Sequence, residues 1–190
     1  MGRLVTFGCS YTHGYTLEDF TNIPNDNAWP KLLAHSLKKD CLNLGYPGYS
    51  NKQIWHTFVN TKFQRGDIAV ILWTHHARTC LFTDNNKVLG IVPWNKGDIS
   101  TYYFKNMYNT RDHTILLNLY MEHITYKCRY EGVKVYHVLS IRDDIGELKT
   151  TVADKTLLDF EVDKSLDDAH PGIESHKLFA KYLKQYMETN

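Results

Sequence analysis

A serine hydroxyl becomes a useful nucleophile only when an imidazole takes its proton. The sequence offers such a pair near its two ends. Ser10 lies in Phe7-Gly8-Cys9-Ser10-Tyr11-Thr12, just past a short apolar run, and His170 lies in Asp167-Asp168-Ala169-His170-Pro171. Pro171 disfavours helical geometry for the residue before it, so His170 is expected just outside the helix that follows. Asp167, about one turn earlier, can orient the ring and stabilise its cation; Asp168 is the alternative for that role. Attack on an ester creates an oxyanion, which needs donors already aimed at it. Gly48, lacking a Cβ, can bring its N–H close to a substrate, and the Ser10 N–H is a second candidate. For a third donor the sequence offers His75, His76 or Arg78.

Each residue also has a plainer role when taken singly. Ser10, Gly45 and Gly48 are ordinary turn residues, a histidine before proline is a common surface cap, and Arg78 is a solvated cation. Cys9 beside Ser10 is a second potential nucleophile. Neighbours in a turn point in different directions, however, and one imidazole serves one of them, so Cys9 is expected to be packed. The chemistry depends on elements that gather these residues.

Leu4 to Phe7, Cys41 to Leu44, Asp67 to Thr74 and Val133 to Leu139 read as short apolar strands, with a possible fifth near Leu157 to Val162. A polar loop is expected from Cys9 to about Asn27. Between the strands lie helical patterns: one opened by Trp29-Pro30, one capped by Ser50 or Asn51, one from about Arg111 to Tyr130, and a last one started by Pro171. Alternating strands and helices predict a flavodoxin-like three-layer α/β/α fold, with a mainly parallel sheet of four to five strands. Right-handed crossovers then put every strand's C-terminal end on one edge, where such sheets bind ligands. Gly8-Cys9-Ser10, Gly45 to Asn51 and Thr74 to Arg78 all fall there. The chain reads as one domain over 1–190. An irregular insertion is expected around 77–109, with a hairpin at Asp84-Asn85-Asn86 and loops bearing Trp94, Tyr102, Tyr103 and Tyr108.

Across nearly its whole length the chain resembles the SGNH (GDSL-type) hydrolase superfamily. The first block, usually Gly-Asp-Ser, appears as Gly8-Cys9-Ser10. The second, Asn-x-Gly-x-x-Gly, appears as Asn43-Leu44-Gly45-Tyr46-Pro47-Gly48, and the last, Asp-x-x-His, as Asp167 to His170. The resemblance implies Ser10 as nucleophile, His170 as base, Asp167 as its partner and the Gly48 N–H as an oxyanion donor. It implies an esterase or acylhydrolase acting on a small-molecule or carbohydrate ester, without cofactor. The Gly-Cys-Ser-Tyr-Thr variant also resembles divergent members from phages and environmental bacteria. The third block, normally Gly-x-Asn-Asp, reads Trp73-Thr74-His75-His76, so its asparagine donor is missing. His75 or Arg78 is expected to substitute, since losing one such donor typically costs about 10²–10³ in rate.

Composition narrows the other classes. A formal net charge of +1 over 190 residues gives no electrostatic case for nucleic acid or a membrane surface as the main partner. No apolar stretch approaches a membrane span, and no basic, then apolar, leader opens the chain, so a cytoplasmic location is expected. Met-Gly-Arg-Leu-Val-Thr formally matches a myristoylation pattern, but the strand beginning at Leu4 leaves a lipid almost no tether. Four scattered cysteines suggest reduced thiols rather than disulfides. No metal site is expected either: His75-His76 is the one adjacent pair among ten histidines, and neighbours on a strand point to opposite faces. Two other readings remain: a non-catalytic ligand-binding module on the same scaffold, motivated by the missing asparagine, and a flavin protein, motivated by Ser and Thr after the first strand.

Overall fold

The computed structural model describes residues 2–85, 87–142 and 146–190. In chain order, β1 (Leu4–Phe7) leads into a single helical turn, α1 (Ser10–His13), followed by α2 (Trp29–Ser36), β2 (Cys41–Asn43), α3 (Asn51–Val59) and β3 (Ile68–Trp73). A hairpin of β4 (Thr79–Phe82) and β5 (Val88–Ile91) and a helix, α4 (Asp98–Asn106), come next. The long helix α5 (Thr110–Glu131), strand β6 (Lys134–Leu139), a 3-10 turn (Leu157–Phe160) and helix α6 (Ile173–Thr189) complete the chain.

Four strands form one parallel sheet in the order β2-β1-β3-β6. Their apolar runs alternate between two faces, and both faces are covered. Leu4, Val70, Leu72 and Val138 pack against Trp29 and Leu33 of α2 and Phe179 and Leu183 of α6. Val5, Phe7, Ile71 and Trp73 pack against Ile54 and Phe58 of α3 and Leu117, Met121 and Ile124 of α5. The result is the expected three-layer arrangement, since continuous apolar strands are stable only when buried on both sides. From β1 the chain passes to β2 on one side, and then returns to β3 on the other. The order therefore reverses between β1 and β3, the crevice where ligands bind in such sheets. Ser10 lies at its lip.

Local chemistry explains the ends that matter. Ser50 caps α3 through a reciprocal capping box with Gln53, and Asn109 caps α5 by accepting from Arg111 and Asp112 N–H. The α6 N-terminus is capped from a distance. Asp163 accepts from the Glu174 and Ser175 N–H groups at 3.0 and 2.8 Å.

The structure differs from the sequence reading in four places. The loop expected from Cys9 to Asn27 begins with a helical turn at Ser10. The stretch near Leu157 is a 3-10 turn rather than a strand, because Thr156 and Asp159 cap it and the fully buried Leu157 packs against the α6 layer. Tyr102 and Tyr103 lie on α4, not in loops. The last helix begins at Ile173; Pro171 instead pairs with Lys164 in an isolated antiparallel bridge. Residues β4 and β5 flank the expected hairpin turn, of which Asn86 lies outside the described residues. Among the described residues, no helix is long and apolar enough to cross a membrane.

Candidate active site

Ser10 is placed by the abrupt change from β1 to α1. Cys9 accepts from the Thr12 and His13 N–H groups, both at 3.0 Å, which coils the chain as soon as it leaves the sheet. Gly8 permits that turn. A Cβ there would lie 2.0 Å from Thr12 Oγ1 and 3.0 Å from the Leu72 carbonyl oxygen. Asn43 fastens the neighbouring loop to the same turn, accepting from Gly45 N–H at 2.9 Å and donating to the Thr12 carbonyl at 2.8 Å.

His170 arrives from the other end of the chain. Its Nε2 lies 2.9 Å from Ser10 Oγ, across 160 positions of sequence. Its Nδ1 lies 2.6 Å from Asp167 Oδ2. The other oxygen of Asp167 accepts from Ser165 Oγ at 2.8 Å and from the Ala169 and His170 N–H groups, both at 3.0 Å. Burial works to raise the Asp167 pKa, but the hydrogen bonds from Ser165, Ala169 and His170 outweigh it and hold the carboxyl well below the usual carboxylate range. An ionised carboxylate thus faces the imidazole edge opposite the serine. In this arrangement an imidazole can accept a hydroxyl proton while the carboxylate steadies the cation that forms. Asp168 makes no such contact with the ring; it occupies the turn between the two, at φ +56°.

Cys9 is 1% exposed, and its Sγ lies 4.0 Å from Ser10 Oγ. The shorter contact to His170 claims the Ser10 hydroxyl, so the thiol is packed beside the pair rather than joined to it.

The candidate oxyanion donors are held differently. Gly48 has φ +81° and sits in the exposed part of the loop between β2 and α3. The positive φ suits glycine, and nothing lies within 4 Å of where a Cβ would be. At the end of β3, Thr74 exchanges hydrogen bonds with the Asn51 side chain at 2.9 and 3.1 Å. His75 Nδ1 accepts from Ala77 N–H at 3.0 Å, which places the proton of the neutral ring on Nε2. His76 instead turns toward the insertion. Its Nε2 lies 2.9 Å from Tyr108 OH, and its carbonyl accepts from His113 Nδ1 at 2.7 Å. Arg78 stacks its guanidinium 4.7 Å from the Trp94 ring centroid. Burial raises the Tyr11 pKa, and the Arg78 charge is near enough to oppose that rise.

The His75 and His76 rings stack at 4.8 Å and 17°, so the opposite-faces expectation fails. Both lie past the end of β3, where strand alternation no longer applies. Among the described residues, no group of three or more His, Cys, Asp or Glu side chains could hold a metal ion.

The rings nearest His170 also come from an unexpected source. Tyr11 and Tyr15 stand edge-on to its imidazole at 5.3 and 6.3 Å, and Phe20, 61% exposed, stands edge-on to Tyr15. All three belong to α1 and the loop after it. In the insertion, Tyr103 and Tyr108 are engaged by His113 and His76. Sequence reasoning also missed Ser165 and Asp163, which build the segment carrying His170. A serine two residues before an aspartate is a local turn signal for Ser165. Nothing local marks Asp163, whose partners lie on α6.

No protein-family model matches the sequence, and neither does any curated protein. Solved structures do match in fold. A structure described as a lipolytic protein of the G-D-S-L family from Desulfitobacterium hafniense DCB-2 superposes with a TM-score of 0.57 at 13% identity, covering 97% of this chain and 99% of that one. The psychrotrophic esterase EstA from Pseudoalteromonas sp. gives 0.55 at 9% identity over 100% and 98% of the two chains. The acetyl xylan esterase Est2A from the rumen bacterium Butyrivibrio proteoclasticus gives 0.55 at 12% identity; the match covers 99% of this chain and 64% of that one. The chain thus has the flavodoxin-like α/β fold of G-D-S-L-type lipolytic proteins and esterases. At these identities the likeness is one of architecture, and the chemistry must be argued from the site itself.

Proposed function

We propose that the protein is an SGNH-type serine esterase or acylhydrolase, built as one domain over 1–190, with Ser10, His170 and Asp167 as its catalytic residues. The observation that carries this reading is the continuous run from Asp167 through His170 to Ser10, at 2.6 and 2.9 Å. Ser10 Oγ attacks the acyl carbon as its proton passes to His170 Nε2, and Asp167 stabilises the imidazolium. The oxyanion accepts hydrogen bonds from the Ser10 and Gly48 N–H groups and from His75. His75 stands at the missing asparagine's place in the sequence block, and the bond from Ala77 supports the tautomer with a donating Nε2–H. Arg78 supplies positive charge nearby while it stacks on Trp94. The tetrahedral species then expels the alcohol, which takes the proton back from His170 and leaves acyl-Ser10. Water attacks this ester with His170 again as base, releasing the carboxylic acid and restoring the serine. No cofactor or metal enters any step.

The substrate is a small-molecule ester, with a carbohydrate O-acyl group as the favoured form. Tyr15 beside His170, with Phe20 against Tyr15, supports an alcohol with an apolar face, and Est2A of the same fold is named for acetyl xylan. Turnover of p-nitrophenyl acetate and of an acetylated sugar tests this. The intact protein is expected to hydrolyse both, and Ser10→Ala is expected to lose about 10⁴–10⁶-fold in kcat. No turnover across short and long esters, together with ligand binding unchanged in His170→Ala, would instead make the chain a binding module.

A further inference from the structure

We infer that Thr16 and Ser165 are positioning residues, forming a clip that fixes Asp167 from the loop after α1; the inference rests on the esterase reading above. Thr16 Oγ1 lies 2.8 Å from Ser165 Oγ, and Ser165 Oγ lies 2.8 Å from Asp167 Oδ1. The order of protons follows from the chemistry. The Asp167 carboxylate can only accept, so Ser165 donates to it, and a Thr16–Ser165 bond then forms only with Thr16 as donor. The Tyr15 carbonyl, 2.6 Å from Thr16 Oγ1, competes for that same proton. Were Thr16 to give it up entirely, two hydroxyl lone pairs would face each other across 2.8 Å.

Two backbone bonds brace the clip. Leu166 N–H donates to the Thr16 carbonyl at 3.0 Å, and Ser165 N–H donates to the His170 carbonyl at 2.9 Å. Thr16 and Ser165 are only 1% and 7% exposed, so water has little access to replace either hydroxyl. Thr16 also adopts φ +68°, a left-handed conformation that a β-branched residue avoids unless its surroundings enforce it. Glycine would relieve that strain, so what threonine adds here is its hydroxyl. Tyr15 and Phe20 flank Thr16 in the same loop, so the clip ties the ring surface beside His170 to the carboxylate that orients it.

The test compares Thr16→Gly, Thr16→Ser and Ser165→Ala with the parent protein. Three quantities are read: kcat and KM on an acetate ester, the thermal midpoint, and the far-downfield imidazole Nδ1–H proton resonance of His170. Thr16→Gly removes hydroxyl and strain together, so its midpoint is expected to hold or rise while kcat falls about 10–100-fold at unchanged KM. Ser165→Ala is expected to show the same kcat loss, Thr16→Ser to restore the parent rate, and the downfield resonance to disappear in Thr16→Gly and Ser165→Ala only. Parent-like kcat and an intact resonance in Thr16→Gly and Ser165→Ala would overturn the clip, as would kcat losses that merely follow losses of midpoint. If the parent turns over no ester, the esterase reading fails by itself. The resonance then decides the clip, which stands if Thr16→Gly abolishes the signal and falls if the signal persists.

Discussion

Two loops at the same sheet edge contribute to the site, and they are held in different ways. The segment from Asp163 to Pro171 is fixed by two partners near the other end of the chain, Thr16 and Ser10, and by the adjoining first turn of α6. The segment after β3, from Thr74 to Arg78, is held by its own turn, by Asn51, and by Tyr108, His113 and Trp94 of the insertion and α5. The first loop carries Asp167 and His170, aligned with Ser10 at 2.6 and 2.9 Å. The second carries Thr74-His75-His76, where the sequence has no asparagine. The first segment thus joins the two ends of the chain, whereas the second is held by contacts within residues 51 to 113.

The contrast breaks most sharply at Asp167. Replacing it with Asn keeps the shape but removes the charge and allows the wrong imidazole tautomer, so kcat is expected to fall about 10⁴-fold. Steady-state kinetics on an acetate ester reads this directly. A loss below tenfold would mean that His170 does not depend on that carboxylate.

On the second loop the expected effect is smaller. His75→Ala removes one donor of three, so a kcat loss of about 10²–10³-fold with little change in KM is predicted. Arg78→Met should cost less, because the guanidinium is occupied by Trp94 and acts through its charge. The reverse ranking would move the third donor from His75 to Arg78.

The smallest effect concerns two buried histidines, His176 on α6 and His137 on β6. His176 accepts from Trp29 N–H and joins α2 to α6; His137 accepts from Trp73 Nε1–H and joins β3 to β6. Burial pushes both imidazoles down to about 4. Their folded values lie below the unfolded one, so between about 4 and 6.5 the unfolded chain binds more protons, and stability rises with pH through that window. Relative to neutral pH, each ring is expected to cost about 2 kcal/mol of stability at pH 5. Chemical denaturation at pH 5 and pH 7.5 measures the sum. His137→Asn and His176→Asn should each flatten the dependence by about half.

The strands were legible because parallel sheet buried on both faces leaves long apolar runs, as in Ile68 to Trp73. Ser10 and His170 were legible because each stands within two residues of one that shapes the backbone, Gly8 and Pro171. The helical turn at Ser10 was not, since its four residues carry no periodicity. The 3-10 turn at Leu157 reads as a strand in the sequence because a short apolar run does not reveal its period. Thr16 was invisible for a different reason: its role depends on a contact with Ser165, 149 positions away, and on a backbone angle that no local pattern announces.

Reaction with a fluorophosphonate, followed by peptide mass mapping, tests the central claim most directly. The account predicts one phosphonyl adduct on Ser10, formed orders of magnitude more slowly in His170→Ala and absent from Ser10→Ala. No adduct on the parent protein, or equal labelling of Ser10 with and without the imidazole, would contradict it.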